Sequence, residues 1–139
     1  MGRPTSFRFS DALQRRLDEE AAALGVSVSA LVTTLLDEGL KTRRFPGVVF
    51  RDGPAGRRAG LAGGPDVWEV VRAVRDGAGK GDARIRRVAR ESGVAEGLVR
   101  LAVDFYAAFP DEVDARLVAE ERAATHRRDT IARRERLTG

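Results

Sequence analysis

The sequence predicts a mainly α fold in two parts: one short N-terminal strand with two helices, then a β-hairpin, a helix-turn-helix and a long C-terminal helix. Hydrophobic residues make up 42% and charged residues 33% of the 139 residues, a balance that suits helices with one apolar and one charged face. Apolar residues recur at helical spacing in segments closed by Gly or Pro. Strand-like runs are confined to "TSFRF" near the N-terminus and to the neighbourhood of "PGVVFR". Composition turns Gly-rich through residues 41–65, which sets the expected divisions at 1–45, 46–121 and a charged C-terminal helix or tail over 122–139.

In the first part, Phe7 and Phe9 alternate with Ser6 and Arg8, as on a strand with one apolar face. Ser10 is then a suitable N-cap, and Asp11 sits where the helix dipole favours an anion. Leu13, Leu17, Ala21 and Leu24 form an apolar stripe opposite Arg15, Arg16, Asp18 and Glu19, and Gly25 is placed to end the helix. Ser27 opens a second helix with the stripe Val28, Leu31, Val32, Leu35, Leu36 and Leu40; Lys41, Arg43 and Arg44 suit its C-terminal end, and Pro46 closes the unit. A single strand cannot satisfy its own backbone groups, and about 40 residues is near the lower limit for unaided folding. A second copy answers both needs. Two "TSFRF" strands paired antiparallel across a two-fold axis turn Phe7 and Phe9 down onto the helices and leave Ser6 and Arg8 outward. The expected dimer core is Phe7, Phe9, Leu13, Leu31 and Leu35.

The strand, the Ser10 cap, the Gly25 stop and the Ser27-Val28-Ser29-Ala30 opening occur in one order across Arg3–Lys41, and in this the segment resembles the ribbon-helix-helix superfamily of Arc/MetJ-like repressors and many antitoxins. The resemblance implies paired strands in the major groove of double-stranded operator DNA. It places Ser6 and Arg8, with Arg3 at the edge, as base contacts, and the backbone amides near Ser27, Val28 and Ser29 as a phosphate clamp, which a helix N-terminus suits. Pro4 stands where the family often carries a third polar reader.

In the second part, Val48-Val49-Phe50 and a shorter run about Arg58-Ala59 flank "DGPAG", the signature of a hairpin with a turn longer than two residues. The glycines do not match a phosphate loop, because neither G-x-x-x-x-G-K-[ST] nor a strand-bounded G-x-G-x-x-G is present. From Asp66 a short helix offers Val67, Trp68, Val71 and Val74 to a core, with Trp68 as its anchor. Ile85, Ala89, Gly93 and Val99 then fall at helix-turn-helix spacing. Its second helix points Glu96, Gly97, Arg100 and Asp104 outward, a poor set for approaching phosphate, whereas the first carries Arg84, Arg86, Arg87 and Arg90. From Pro46 to about Ala119, "PGVVFR", "GRRAGLAGGPDVWEVV" and "VDFYAAFPDEVDARL" in this order resemble a small domain of VapB-like antitoxins. Members often have a Gly-Thr-Arg-like sequence where this chain has Ala62-Gly63-Gly64-Pro65.

Pro110 opens the last helix, with Asp111, Glu112 and Asp114 in its first turns and Val113, Leu117 and Val118 as its apolar stripe. Residues 122–136 hold 6 arginines against Asp129 and Glu135, so this stretch is a solvated extension or a segment that folds onto a partner protein. Cysteine is absent and His126 is the lone histidine, which leaves little material for metal or acid–base chemistry. With no nucleophile–base pair and no cofactor loop, the reading is non-enzymatic, without metal or cofactor. No apolar run approaches the roughly 20 residues of a membrane span, so the cytoplasm is the expected compartment and no membrane partner is expected. The net charge of +4 permits nucleic-acid binding without requiring it. The expected function is a dimeric, or higher oligomeric, DNA-binding repressor. The resemblances make it an antitoxin that controls its own operon and holds a toxin through its C-terminal part. The alternative is a stand-alone transcriptional regulator whose second domain serves oligomerisation or another partner.

Overall fold

The structure is a computed structural model that describes residues 2–139. It is mainly helical with one small antiparallel sheet. Six helices and two strands occur among the described residues, in the order α1 (Asp11–Leu24), α2 (Val28–Arg44), β1 (Val48–Arg51), β2 (Arg58–Leu61), α3 (Val67–Asp76), α4 (Gly81–Ser92), α5 (Glu96–Ala108) and α6 (Pro110–Thr138). Two compact units divide the chain, Met1–Arg43 and Arg44–Gly139. Among the described residues no single helix is long and apolar enough to cross a membrane.

In the first unit, local chemistry sets both helix ends of α1 and the start of α2. The Ser10 hydroxyl accepts from the Leu13 amide at 3.2 Å, and Gly25, at φ 68°, closes α1 in the left-handed region with its amide donated to Ala21 and Ala22. Ser27 repeats the N-cap at α2, accepting from the Ala30 amide at 3.1 Å. The core between the helices is small: Leu17, Ala21 and Leu31 are buried, with Phe9, Val28 and Val32 packed against them. Residues 2–10 form neither helix nor strand within the single chain.

In the second unit, β1 and β2 pair as an antiparallel hairpin in the register Val48↔Leu61 to Arg51↔Arg58. Val48 and Leu61 are fully buried against α3, α5 and α6. Phe105 of α5 is the largest fully buried side chain, and Phe45 and Phe109 meet it at ring-centroid distances of 5.6 and 5.1 Å, in edge and tilted contacts. Gly93 ends α4 at φ 72°, α5 begins three residues later at Glu96, and Val99 is fully buried. Two core assignments differ from expectation. Val70 is buried where Val74 is only half-buried, because α3 turns its Val67–Val70–Val71 edge inward. Trp68 is not a sealed anchor: it is half-buried at the edge of the core, with the Arg72 guanidinium 5.0 Å from its ring centroid.

Pro110 occupies the first turn of α6, as expected. Val113 and Leu117 are buried, but Val118 is 45% exposed, so the inward stripe is one residue narrower than the sequence suggests. There is no break at residue 121; α6 continues as one helix through Thr138, with Ile131 and Leu137 exposed. Arg116 ties α6 to the hairpin turn by donating to the Ala55 carbonyl at 2.8 Å and the Arg57 carbonyl at 3.1 Å. Its side chain is 14% exposed, so these charge-assisted bonds join a largely buried guanidinium to carbonyls of an exposed turn. Arg116→Ala is expected to cost about 2 kcal/mol in urea unfolding and to speed amide exchange in residues 53–57.

Candidate nucleic-acid interface

The residues expected to read DNA lie on one exposed segment. Arg3, Ser6 and Arg8 are exposed, and neither arginine forms a salt bridge among the described residues. Phe7 and Phe9 alternate with them, and their rings stack at 6.5 Å with 20° between planes. The apolar and polar side chains of this segment are thus segregated before any strand pairing exists.

The expected dimer core divides into two groups. Leu31 is 5% exposed and belongs to the chain's own core, because it faces α1 between Leu17 and Ala21; it is therefore not part of an open dimer face. Phe7 at 67%, Leu13 at 39% and Leu35 at 48% remain exposed, and Leu36 and Leu40 extend the same surface. Phe7, Phe9, Leu13, Leu17, Val32, Leu35 and Leu36 line a recess of about 210 Å³ with a wholly apolar wall. Helical periodicity marks the whole stripe as apolar but does not separate residues that pack within the chain from those left open.

At the start of α2, the Ser27 hydroxyl is engaged as the cap and Leu31 donates to the Ser27 carbonyl at 3.0 Å. Val28 and Ser29 occupy the first turn, where a helix leaves its amides without intrahelical partners. An anion there meets the positive end of the helix dipole.

In the second unit α4 and α5 differ in charge. Arg100, the outward cation of α5, donates to Asp82 at 2.9 Å and to Glu96 at 2.8 Å. With Glu96 and Asp104 exposed beside it, the outer face of α5 offers carboxylates and an engaged arginine. The Asp82 carboxyl is held below its ordinary value, first by the hydrogen bond from Arg100 and then by its charge. A depressed carboxyl contributes its stability above the unfolded value, about 3.9, and loses it as pH falls through the lower folded value. Arg100→Gln should therefore lower the melting temperature near neutral pH, and the gap from wild type should close on acidification below that range.

Sequence reading missed Asp66. The hairpin register places Arg51 directly opposite Arg58, a like-charge pair that is unfavourable on its own. Asp66, 7% exposed, resolves it: one carboxylate oxygen accepts from Arg51 Nη1 at 3.1 Å and the other from Arg58 Nε. Arg51 also donates to the Leu61 and Gly64 carbonyls, which fixes the Ala62–Pro65 loop. The signal available was the N-cap position of Asp66 together with two arginines at the hairpin ends. Among the described residues no group of three or more His, Cys, Asp or Glu is placed to hold a metal ion. No family model, no curated protein and no solved structure matches the chain.

Proposed function

We propose that the chain acts as a dimeric, sequence-specific DNA-binding repressor of ribbon-helix-helix type, with the N-terminal segment as its reading element. The observation that carries the reading is the exposed apolar face of the first unit, where a wholly apolar recess lies under the segment that alternates Phe7 and Phe9 with Ser6 and Arg8. A contiguous apolar face on so small a unit marks an association surface. A second copy supplies both the cover for that face and the backbone partner for residues 5–9, and it leaves Ser6 and Arg8 projecting from a two-stranded ribbon of a size the major groove admits.

The antitoxin form of this reading draws on the sequence resemblance and on α6, whose residues beyond Glu121 are almost all exposed and carry arginines on every side. A long helix polar all round is suited to a partner surface or to bridging solvent. In this form the chain represses its own operon and holds a toxin through α6.

The test is a gel shift of the full chain against the DNA upstream of its own gene, with a scrambled duplex as competitor. Arg8→Ala is expected to cost about 1–3 kcal/mol per half-site and to erase the preference for the upstream sequence while the dimer persists. Undiminished discrimination by Arg8→Ala sinks the ribbon as the reader.

A further inference from the structure

We infer that the second unit carries its own phosphate-contacting surface, the outer face of α4, and that its residues are Arg86, Arg87 and Arg90. The inference rests on duplex DNA being the partner of this chain. In a helix-turn-helix the second helix is the ordinary reader, but here α5 turns carboxylates outward and its Arg100 is engaged by Asp82 and Glu96. The helix before it has the opposite character. Val88 is buried and Ile85 and Ala89 pack against the core, so one side of α4 is fixed. Arg86, Arg87 and Arg90 lie exposed on the other side and form no salt bridge among the described residues.

The four arginines of α4 are not equivalent. Arg84 is half-buried, and its Nε donates to the Gly79 carbonyl at 2.8 Å, so it holds the glycine loop before the helix. The remaining three form a compact set. Arg86 and Arg90 are one turn apart, about 6 Å along the axis, so both can face one polyanion.

Two acids of α4 lie one turn from these cations, Asp82 four residues before Arg86 and Glu91 four residues after Arg87; Asp82 is bound by Arg100, and Arg90 has no acid three or four residues away on the helix. Arg86 and Arg90 are themselves a like-charge pair at i,i+4, an arrangement that disfavours an isolated helix. A polyanion removes that repulsion, and the planar guanidinium forks match phosphate oxygens.

The experiment measures binding of the full chain to a random-sequence duplex as a function of NaCl, by fluorescence anisotropy. Three phosphate contacts contribute roughly 2.7 to the slope of log affinity against log salt, equivalent to roughly 40-fold between about 50 and about 200 mM. Replacing Arg86, Arg87 and Arg90 together by Gln, a good helix former, is expected to remove that part of the slope with an unchanged circular dichroism spectrum. The corresponding Lys triple variant is expected to keep it, and so is Arg100→Gln. A slope unaltered in the Gln triple variant overturns the inference, as does an equal loss in Arg100→Gln. If Arg8→Ala keeps full sequence discrimination while the Gln triple variant loses slope, the ribbon reading fails and this one stands. If the upstream duplex is discriminated but the Gln triple variant keeps its slope, the reverse holds. Absence of any duplex binding by the wild-type chain overturns both.

Discussion

Phe7→Asp is expected to convert the proposed dimer to a monomer at micromolar concentration, read by sedimentation equilibrium. In the single chain Phe7 is 67% exposed and touches the rest of the unit through the stack on Phe9 and the rim of the apolar recess. Its replacement therefore removes little from the fold of one chain. Between two chains the cost is far larger. Each phenylalanine withdrawn from a closed apolar interface forfeits about 1.5–3 kcal/mol, and two are lost at once by symmetry. Each aspartate must also remain hydrated or lose solvation on burial. Together these weaken association by about 5 kcal/mol, several-thousand-fold in the dissociation constant. Arg8→Ala, one residue away and also exposed, is expected to keep the dimer mass. A Phe7→Asp chain that still sediments as a dimer places the interface elsewhere.

The contrast between Phe7 and Leu31 says what a sequence carries and what it omits. Caps and stops were legible because each depends on one residue type at one position: Ser10, Gly25, Ser27, Gly93 and Pro110 all stand where local chemistry puts them. The hairpin was legible for the same reason, since Val48–Phe50 and Arg58-Ala59 bracket a turn-rich spacer. Periodicity is a weaker guide. It marks Leu31 and Leu35 as equally inward, yet Leu31 is sealed between α1 and α2 while Leu35 is half exposed. Four residues on a helix advance the side chain by about 40°, enough to pass from the chain's own core to its open rim. For the candidate site, the alternation of Ser6 and Arg8 with Phe7 and Phe9 is readable directly, whereas strand pairing is a property of two chains.

The arginines of the second unit make the same point for charge. Arg84, Arg86, Arg87 and Arg90 look alike in sequence, and Arg100 looks like the one useful cation of the helix after them. Their environments separate them: Arg84 braces the glycine loop, Arg100 is engaged by two carboxylates, and the other three are exposed and form no salt bridge among the described residues. Composition counts cations; only packing decides which of them are free to meet an anion.

Asp66→Ala is expected to destabilise the second unit by about 3 kcal/mol, the largest loss expected from any single polar side chain there. Among the described residues this carboxylate is the one that accepts hydrogen bonds from both hairpin arginines, and it sits 7% exposed at the head of α3. Its amide donates to the Glu69 carboxylate at 2.9 Å, which ties the helix start to the same point. Removing the carboxylate leaves Arg51 and Arg58 facing each other across the ladder, with side chains 33% and 23% exposed. That residual exposure lets water recover part of the lost solvation, so the low end of the range for a broken buried pair applies. Asp66→Asn, which keeps the cap and an acceptor but not the charge, should lose less. The double change Arg58→Leu with Asp66→Ala removes the like-charge pair while Arg51 keeps its bonds to the Leu61 and Gly64 carbonyls, and should regain part of the stability lost by Asp66→Ala. Urea unfolding of the three variants separates the possibilities. If Asp66→Ala unfolds at the wild-type midpoint, the two arginines are screened by solvent and the carboxylate does not hold the hairpin to α3.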